Sequence, residues 1–336
     1  MTAQGSNENI VKKIVCKALG PPEGLLLEEA PSPDIEPHQV RIAVRATSCN
    51  RNELLKLAGN YQQKAELPYT PGSDAAGVVS AVGAAVSTVK IGDRVMAMLE
   101  GSRGAWAEEI AVRADWTVKI PDSMSFAQAA GFASSYVSAY ESLVHTANTT
   151  AEDVVLITGA GGGLGLAAVE IARALGATII AVAGSDERLA TAKRSGADHL
   201  IHHRKESMRD RVMEITNQRG ANVIIEVVGG EMLKQAQRCI AWRGRLAVTG
   251  FASFDIPDVR PIIVLLKAFD LRGANLYQTV VHQPRLLTEY CTQLFAWFEQ
   301  GRLRPLVSKT FPMQQAAAAI RYVERGGHAG KVVIEV

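Results

Sequence analysis

Apolar positions along this chain follow two rhythms. Over about the first 130 residues they come in short runs broken by turn residues: KKIVCKAL, QVRIAVRATS, AAGVVSAVG and AWAEEIAVRA are separated by Pro21-Pro22, Pro31, Pro37, Pro71-Gly72 and Gly92-Asp93. Short β-rich runs between Pro and Gly punctuation read as strands, and predict a compact, irregular β-domain. Near Ser123 the texture changes. SFAQAAGFASSYVSAYESLVHTA carries apolar residues at helical spacing and predicts helices. From Asp153 strands and helices alternate: VVLITG, then a helix LGLAAVEIARALG ending at Gly176, then TIIAVAG, then a helix DERLATAKRSG ending at Gly196. HLIHH, NVIIEVVGG, RLAVTG and DLRGANL supply further strands. This alternation predicts an α/β unit built on a parallel, doubly wound sheet. PRLLTEYCTQLFAWFEQG and MQQAAAAIRYVERGG read as two more helices, and KVVIEV as a closing strand. A lone terminal strand needs a sheet to join, so it is expected to return to the first domain.

The length, 336 residues, calls for two cores rather than one. With 47% hydrophobic and 21% charged residues and a net charge of +2, the chain has an ordinary globular balance and no nucleic-acid footprint. Its start, MTAQGSNENIVKK, lacks the features of a secretory leader, and no apolar stretch approaches ~18 residues, so no membrane span is expected. Cys16, Cys49, Cys239 and Cys291 are scattered without a CxxC pair, which fits buried reduced thiols and a cytoplasmic location.

The sharpest local signal is VVLITGAGGGLGLAAVEIARALG, a buried strand running into Gly159, Gly161, Gly162, Gly163, Leu164 and Gly165 and out into a helix. Glycines here permit the unusual turn, a close approach of pyrophosphate to the backbone, and tight strand–helix packing. The helix N-terminus then offers free N–H groups and partial positive charge to phosphates. Within this context the segment reads as a dinucleotide site rather than a merely structural turn. Thr158 to Gly165 also spells TGxxxGxG, a short-chain dehydrogenase pattern, but the loop is mid-chain and no YxxxK occurs. An acidic residue about twenty positions on would accept from the ribose hydroxyl of NAD; Ala183, Gly184 and Ser185 stand there. The absence of a carboxylate leaves room for a 2′-phosphate, with Ser185, Arg188, His203 and Arg204 near enough in sequence to hold it, and points to NADPH. The plainer alternative makes Ser185 a helix cap and Arg188 a surface charge, with Asp186 and Glu187 complementing the helix dipole.

Taken together, a β-rich front half, a mid-chain glycine loop and a short return segment resemble the medium-chain dehydrogenase/reductase superfamily over nearly the whole chain. ELPYTPGSDAAGVVSAVGAAVSTVKIGDRV resembles that family's P-x-x-x-G-x-(D/E)-x-x-G-x-V, V-G and G-D-R-V segments. The resemblance implies a GroES-like β-rich catalytic domain, 1–133 with 275–336, and a Rossmann NADP-binding domain, 134–274. It also implies a homodimer. The zinc branch has Cys where this chain has Asn50 and His-Glu where it has Ser73-Asp74; Cys49 is offset by one, and MLEGSRGAWAEE lacks the structural zinc cysteines. Asn and Ser are poor zinc ligands, so no metal is expected. What remains resembles the zinc-free quinone oxidoreductase, or ζ-crystallin-like, branch. CNRNELLKLAGNY stands where that branch has N-x-x-D and R-x-G-x-Y, with Glu53 for Asp and Leu57 for Arg. HAGKVVI resembles its closing GK-x-V segment and puts Lys331 beside the cofactor phosphates.

By this resemblance the chain is an NADPH-dependent oxidoreductase that reduces a quinone or another conjugated carbonyl, a small-molecule substrate. Negative charge develops on the acceptor oxygen, so donors aimed there matter most. Asn50 and Tyr61 are the candidates, although an Asn at a strand end is often a turn residue and a Tyr after Gly59 a surface plug. Ser134, Ser135 and Ser138 either line the nicotinamide cleft or cap and pack. Gly250 and Phe251 follow a later strand at the end where open α/β sheets bind ligands, Phe251 being a flank for nicotinamide or a core aromatic. Two other functions fit: a 2-enoyl thioester (enoyl-CoA) reductase, which shares the G-x-Y setting, and a non-catalytic NADPH-binding protein of the crystallin kind.

Overall fold

The computed structural model describes residues 9–61, 64–99 and 104–336. The first eight residues, on which the expectation of no leader partly rests, and part of MLEGSRGAWAEE lie outside the described residues. The chain divides into two compact units, 1–133 with 309–326 and 331–336, and 134–308 with 327–330.

The first unit is β-rich, as its short apolar runs predict. A seven-stranded sheet runs in the order Val307–Pro312, Lys331–Glu335, Gln39–Cys49, Asp74–Val82, Arg94–Met98, Thr117–Lys119, and Glu109–Arg113 pairs separately with Gln39–Cys49. Ile10–Cys16 and Leu25–Pro31 form an antiparallel hairpin. The closing strand does return here: Val332 faces Cys49 and Ile334 faces Thr47 in antiparallel register. Within Gln39–Cys49, buried Val40, Ile42 and Val44 alternate with the more exposed Arg41, Ala43 and Arg45, the period-2 signature of a strand with one face inward, and from Ala46 to Cys49 every residue is buried. Ile14, Tyr69, Trp106, Ile320, Val332 and Ile334 belong to one buried cluster of this unit. Two strands touch closely at Gly77, where an added Cβ would lie 2.1 Å from Ala43 O.

The second unit holds six strands in the order His199–His202, Thr178–Ala183, Val154–Ile157, Ala221–Glu226, Ile240–Val248, Asp270–Gly273, with every pairing parallel. The order reverses beside Val154–Ile157, which places a crevice at the C-terminal ends of that strand and its neighbours. The helices Gly163–Leu175 and Asp186–Ser195 end as expected, at left-handed Gly176 and Gly196. Three differences from the sequence reading stand out. The stretch after Ser125 is not one regular helix but Phe126–Ala130, the π-helical Ala133–Val137, Ser138–Tyr140 and the π-helical Glu141–Thr146. Helices Met208–Ile215 and Gly230–Cys239, both rich in polar residues, were not anticipated. Residues 275–308 lie with the second unit. Their helix Arg285–Glu299 is tied there by Tyr290, whose hydroxyl donates to the buried Glu141 carboxylate at 2.7 Å, and by rings of Tyr290 and Trp297 against Tyr140. All four cysteines are free and buried.

Because a methyl group at position 77 has nowhere to go, Gly77→Ala should destabilise the first unit by about 1–3 kcal/mol. The change is expected as a lowered midpoint of thermal unfolding followed by circular dichroism; an unchanged midpoint would show that the strands can part at no cost.

Candidate active site

The glycine turn is shaped by what a side chain would hit. At Gly165 an added Cβ would lie 2.2 Å from Gly159 O, and at Gly161 it would lie 2.4 Å from Cβ of Arg188. Gly159 itself has φ +61° and is covered by methyl groups of Val227 and Val228. Gly162 is the N-cap of Gly163–Leu175 and offers no capping side chain, so the first amides of that helix, Gly163, Leu164 and Gly165, point out of its end. A bare backbone turn with a helix N-terminus behind it fits a dinucleotide diphosphate in its donor chemistry and its tight spacing.

Near the end of Thr178–Ala183, a Cβ on Gly184 would lie 2.7 Å from His203 Nε2 and 3.2 Å from Arg204 Nε, so these two basic side chains gather at the position expected for an adenosine ribose. Burial holds the His203 imidazole below the usual histidine range, helped by Arg204 and His202. Ser185 caps Asp186–Ser195, its hydroxyl accepting from the Arg188 amide at 3.4 Å, while Arg188 Nε donates to His328 O at 3.1 Å. The plainer role of Ser185 is thus realised. Asp186 is neutralised by Lys205 at 2.8 Å. Ser138 is partly buried, its carbonyl accepting from Ser142 Oγ at 2.7 Å, and Ser142 in turn meets Thr249 Oγ1 at 3.0 Å. Gly250 follows Thr249, and Phe251 packs against the core of this unit with its ring over Gly229.

In the first unit Asn50 occupies the N-cap position of the helix Arg51–Leu57 but does not cap it. Its Nδ2 donates inward to Ser48 Oγ at 2.7 Å and to Ser73 Oγ at 3.4 Å, and Ser48 Oγ donates to the buried carboxylate of Asp74. Lys331, expected from the resemblance beside the cofactor phosphates, has its ammonium on Asn50 Oδ1. Both ends of the Asn50 carboxamide are therefore engaged, in a chain Lys331–Asn50–Ser48–Asp74 that joins an ammonium to a carboxylate. Burial lowers the Lys331 ammonium from its usual range, opposed by Asp74 and Cys49. Gly131 makes room for the lysine stem, since a Cβ there would lie 3.1 Å from its Cγ and Cε. Burial pushes the Cys49 thiol up, with the nearby Glu53 adding to it. Tyr61 is partly buried, with Lys56 Nζ 5.6 Å from its ring centre and 3.3 Å from Glu53 Oε1. Among the described residues no group of three or more His, Cys, Asp and Glu side chains stands close enough to hold a metal ion.

Family models match both units: an alcohol dehydrogenase GroES-like domain over residues 36–122 and a zinc-binding dehydrogenase over residues 163–296. A quinone oxidoreductase-like protein 2 homolog from Nematostella vectensis is 38% identical over 326 residues, covering 96% of this chain and 88% of the relative. This chain belongs to the quinone oxidoreductase-like proteins of the medium-chain dehydrogenase/reductase superfamily. Human quinone oxidoreductase is 33% identical over 332 residues, covering 98% and 99% of the two chains. A mycobacterial protein solved in complex with NADPH superimposes with a TM-score of 0.90 at 26% identity, covering 97% of this chain and 100% of the other. The chain is accordingly an oxidoreductase of a nicotinamide-dependent family.

Sequence reasoning missed Glu226, a carboxyl group at 0% exposure whose Oε1 accepts from the amides of Val228 and Gly229. Only its place at the end of NVIIE, where a continuous apolar strand turns acidic, marks it. Burial pushes its pKa up to about 7, against the pull of those amides and the Thr158 hydroxyl. A carboxyl group raised in the folded state from 4.5 contributes most below pH 4.5 and loses that contribution as the pH climbs through 7. Glu226→Gln should therefore gain stability over the native chain between these limits, by up to about 3 kcal/mol, with a flatter midpoint-versus-pH curve. Parallel curves for the two proteins in thermal scans from pH 4.5 to 8 would refute this.

Proposed function

We propose that this oxidoreductase uses NADPH to reduce a quinone or a related conjugated carbonyl compound, without zinc. The observation that carries the reading is the pairing of an uncapped glycine turn with Arg204 and His203 gathered at Gly184, where a 2′-phosphate would be met by a guanidinium and an imidazole N–H. NADPH supplies the hydride. In the cofactor unit, Gly161, Gly162, Gly163, Leu164 and Gly165 receive the diphosphate; Ser185, Arg188 and His203 border the adenosine end; and Ser138, Gly250 and Phe251 lie toward the nicotinamide. In the first unit the Tyr61 hydroxyl donates a hydrogen bond to the acceptor oxygen as charge grows on it. Asn50 has both ends of its amide engaged, so its part is to hold Lys331 and its positive charge in place. Against zinc stands the donor set: an amide oxygen occupied by an ammonium and a serine hydroxyl are not the three strong donors that a catalytic zinc needs.

The protein is further inferred to be a homodimer in the cytoplasm. Asp270–Gly273 ends the parallel sheet with its outer edge unpaired among the described residues, and Leu265 and Leu266, at 75% and 74% exposure, lie on the helix just before it. Four buried free thiols suit a reducing compartment, and no described helix is long and apolar enough to cross a membrane.

Mixing the purified protein with NADPH and a para- or ortho-quinone should consume the reduced nicotinamide absorbance, faster than with NADH. Tyr61→Phe is expected to cut turnover by about 10²-fold with little change in NADPH affinity; Asn50→Ala should also lower it. Faster turnover with an enoyl-CoA than with any quinone would favour the thioester reductase. NADPH binding without turnover on either acceptor would mark a non-catalytic protein. In light scattering the native chain should run as a dimer and Leu265→Asp/Leu266→Asp as a monomer; a monomeric native chain would remove the edge-pairing assignment.

A further inference from the structure

Glu226 closes the strand Ala221–Glu226, next to the glycine turn. Ile225 O accepts from the Thr158 amide at 3.1 Å, the Thr158 hydroxyl accepts from the Val227 amide at 3.0 Å, and the Val227 and Val228 methyl groups fill the space over Gly159. Two amides at 2.7 Å satisfy Glu226 Oε1, while Oε2 has no hydrogen-bond partner among the described residues. The carboxyl group is thus sealed in, satisfied on one side only, and set beside the turn where the diphosphate is placed.

The groups around it bring no counter-charge. Thr158 is neutral, and Cys239, on the helix Gly230–Cys239, keeps a thiol that burial pushes up to about 12. On the neighbouring elements Asp255 lies at Gly230, Lys267 binds the carbonyls of Arg238 and Ile240, Arg188 packs on Gly161, and His203 sits at Gly184. Burial, against the amides of Gly229 and Val228 and the Thr158 hydroxyl, sets the balance at Glu226.

We propose that Glu226 is a positioning residue for the dinucleotide and that it takes up a proton as the diphosphate binds to the glycine turn. The inference rests on the dinucleotide reading of that turn. A carboxylate at Glu226 and a diphosphate at Gly161–Gly165 are two anions separated by protein interior, where repulsion is poorly screened. A proton from the buffer placed on Oε2 removes one of them. Oε1 keeps both amides in either form, so the 227–229 turn stays seated over Gly159. No other bond changes.

The test is calorimetric titration of the full chain with NADPH and with NADH at pH 7, each in two buffers of different ionisation enthalpy. NADH lacks the 2′-phosphate, which titrates itself. With the free carboxyl group at about 7, uptake of about half a proton per site is expected. Glu226→Gln should lose that uptake while binding at pH 8 at least as tightly as the native chain. His203→Gln should retain it. The native dissociation constant should rise by up to about tenfold per pH unit above 7, and that of Glu226→Gln should stay flat. Unchanged uptake in Glu226→Gln, or loss of uptake only in His203→Gln, overturns the inference and leaves the dinucleotide reading intact. Failure of the native chain to bind either coenzyme at any pH overturns both.

Discussion

Gly165 stands so near Gly159 that its missing side chain is a structural requirement: any Cβ there would press to 2.2 Å from the Gly159 carbonyl oxygen. That close approach lets the strand Val154–Ile157 pass straight into the helix Gly163–Leu175 with a bare turn between them. Several neighbouring contacts are arranged around it. Arg188 packs on Gly161, Val227 and Val228 roof Gly159, and Gly330 donates its amide to Gly161 O at 3.2 Å. A single constraint on backbone spacing thus sets the shape of the turn and which side chains surround it.

The first unit is organised by a different kind of contact, a polar chain inside a β-domain. Buried polar groups stay only when they are hydrogen-bonded, and the line from Lys331 through Asn50 and Ser48 to Asp74 satisfies each member by the next. It turns Asn50 inward, where a turn residue at a strand end was the plain expectation. It also holds the Lys331 side chain against Asn50 inside the unit.

Much of this was legible in the sequence because the deciding signals are local. Strand–glycines–helix, a terminal Gly at 176 and another at 196, and short β runs between prolines each specify their own structure within a few residues. The helices Met208–Ile215 and Gly230–Cys239 were not: the first buries only Met208 and Val212, and the second mixes its buried Met232, Leu233, Ala236 and Cys239 with Glu231, Lys234, Gln235, Gln237 and Arg238. Nor could periodicity show that the Ala- and Ser-rich stretch after Ser125 widens into π-turns over Ala133–Val137 and Glu141–Thr146, since apolar spacing alone does not separate the two helical forms. Lys331 and Asn50 are 281 positions apart, and their pairing exists only once the last strand has met Gln39–Cys49. Glu226 was hidden for the opposite reason: its effect depends on being enclosed, which no residue type announces.

The chain's final residues are therefore far from a dispensable tail. The stretch 327–330 belongs with the cofactor unit, whereas 331–336 carries the lysine of the polar chain and the last neighbour of Cys49. Loss of residues 331–336 would remove a sheet strand and the Lys331–Asn50 contact together. Deletions within 331–336 should therefore be as damaging as lesions in the centre of the sheet that this segment joins.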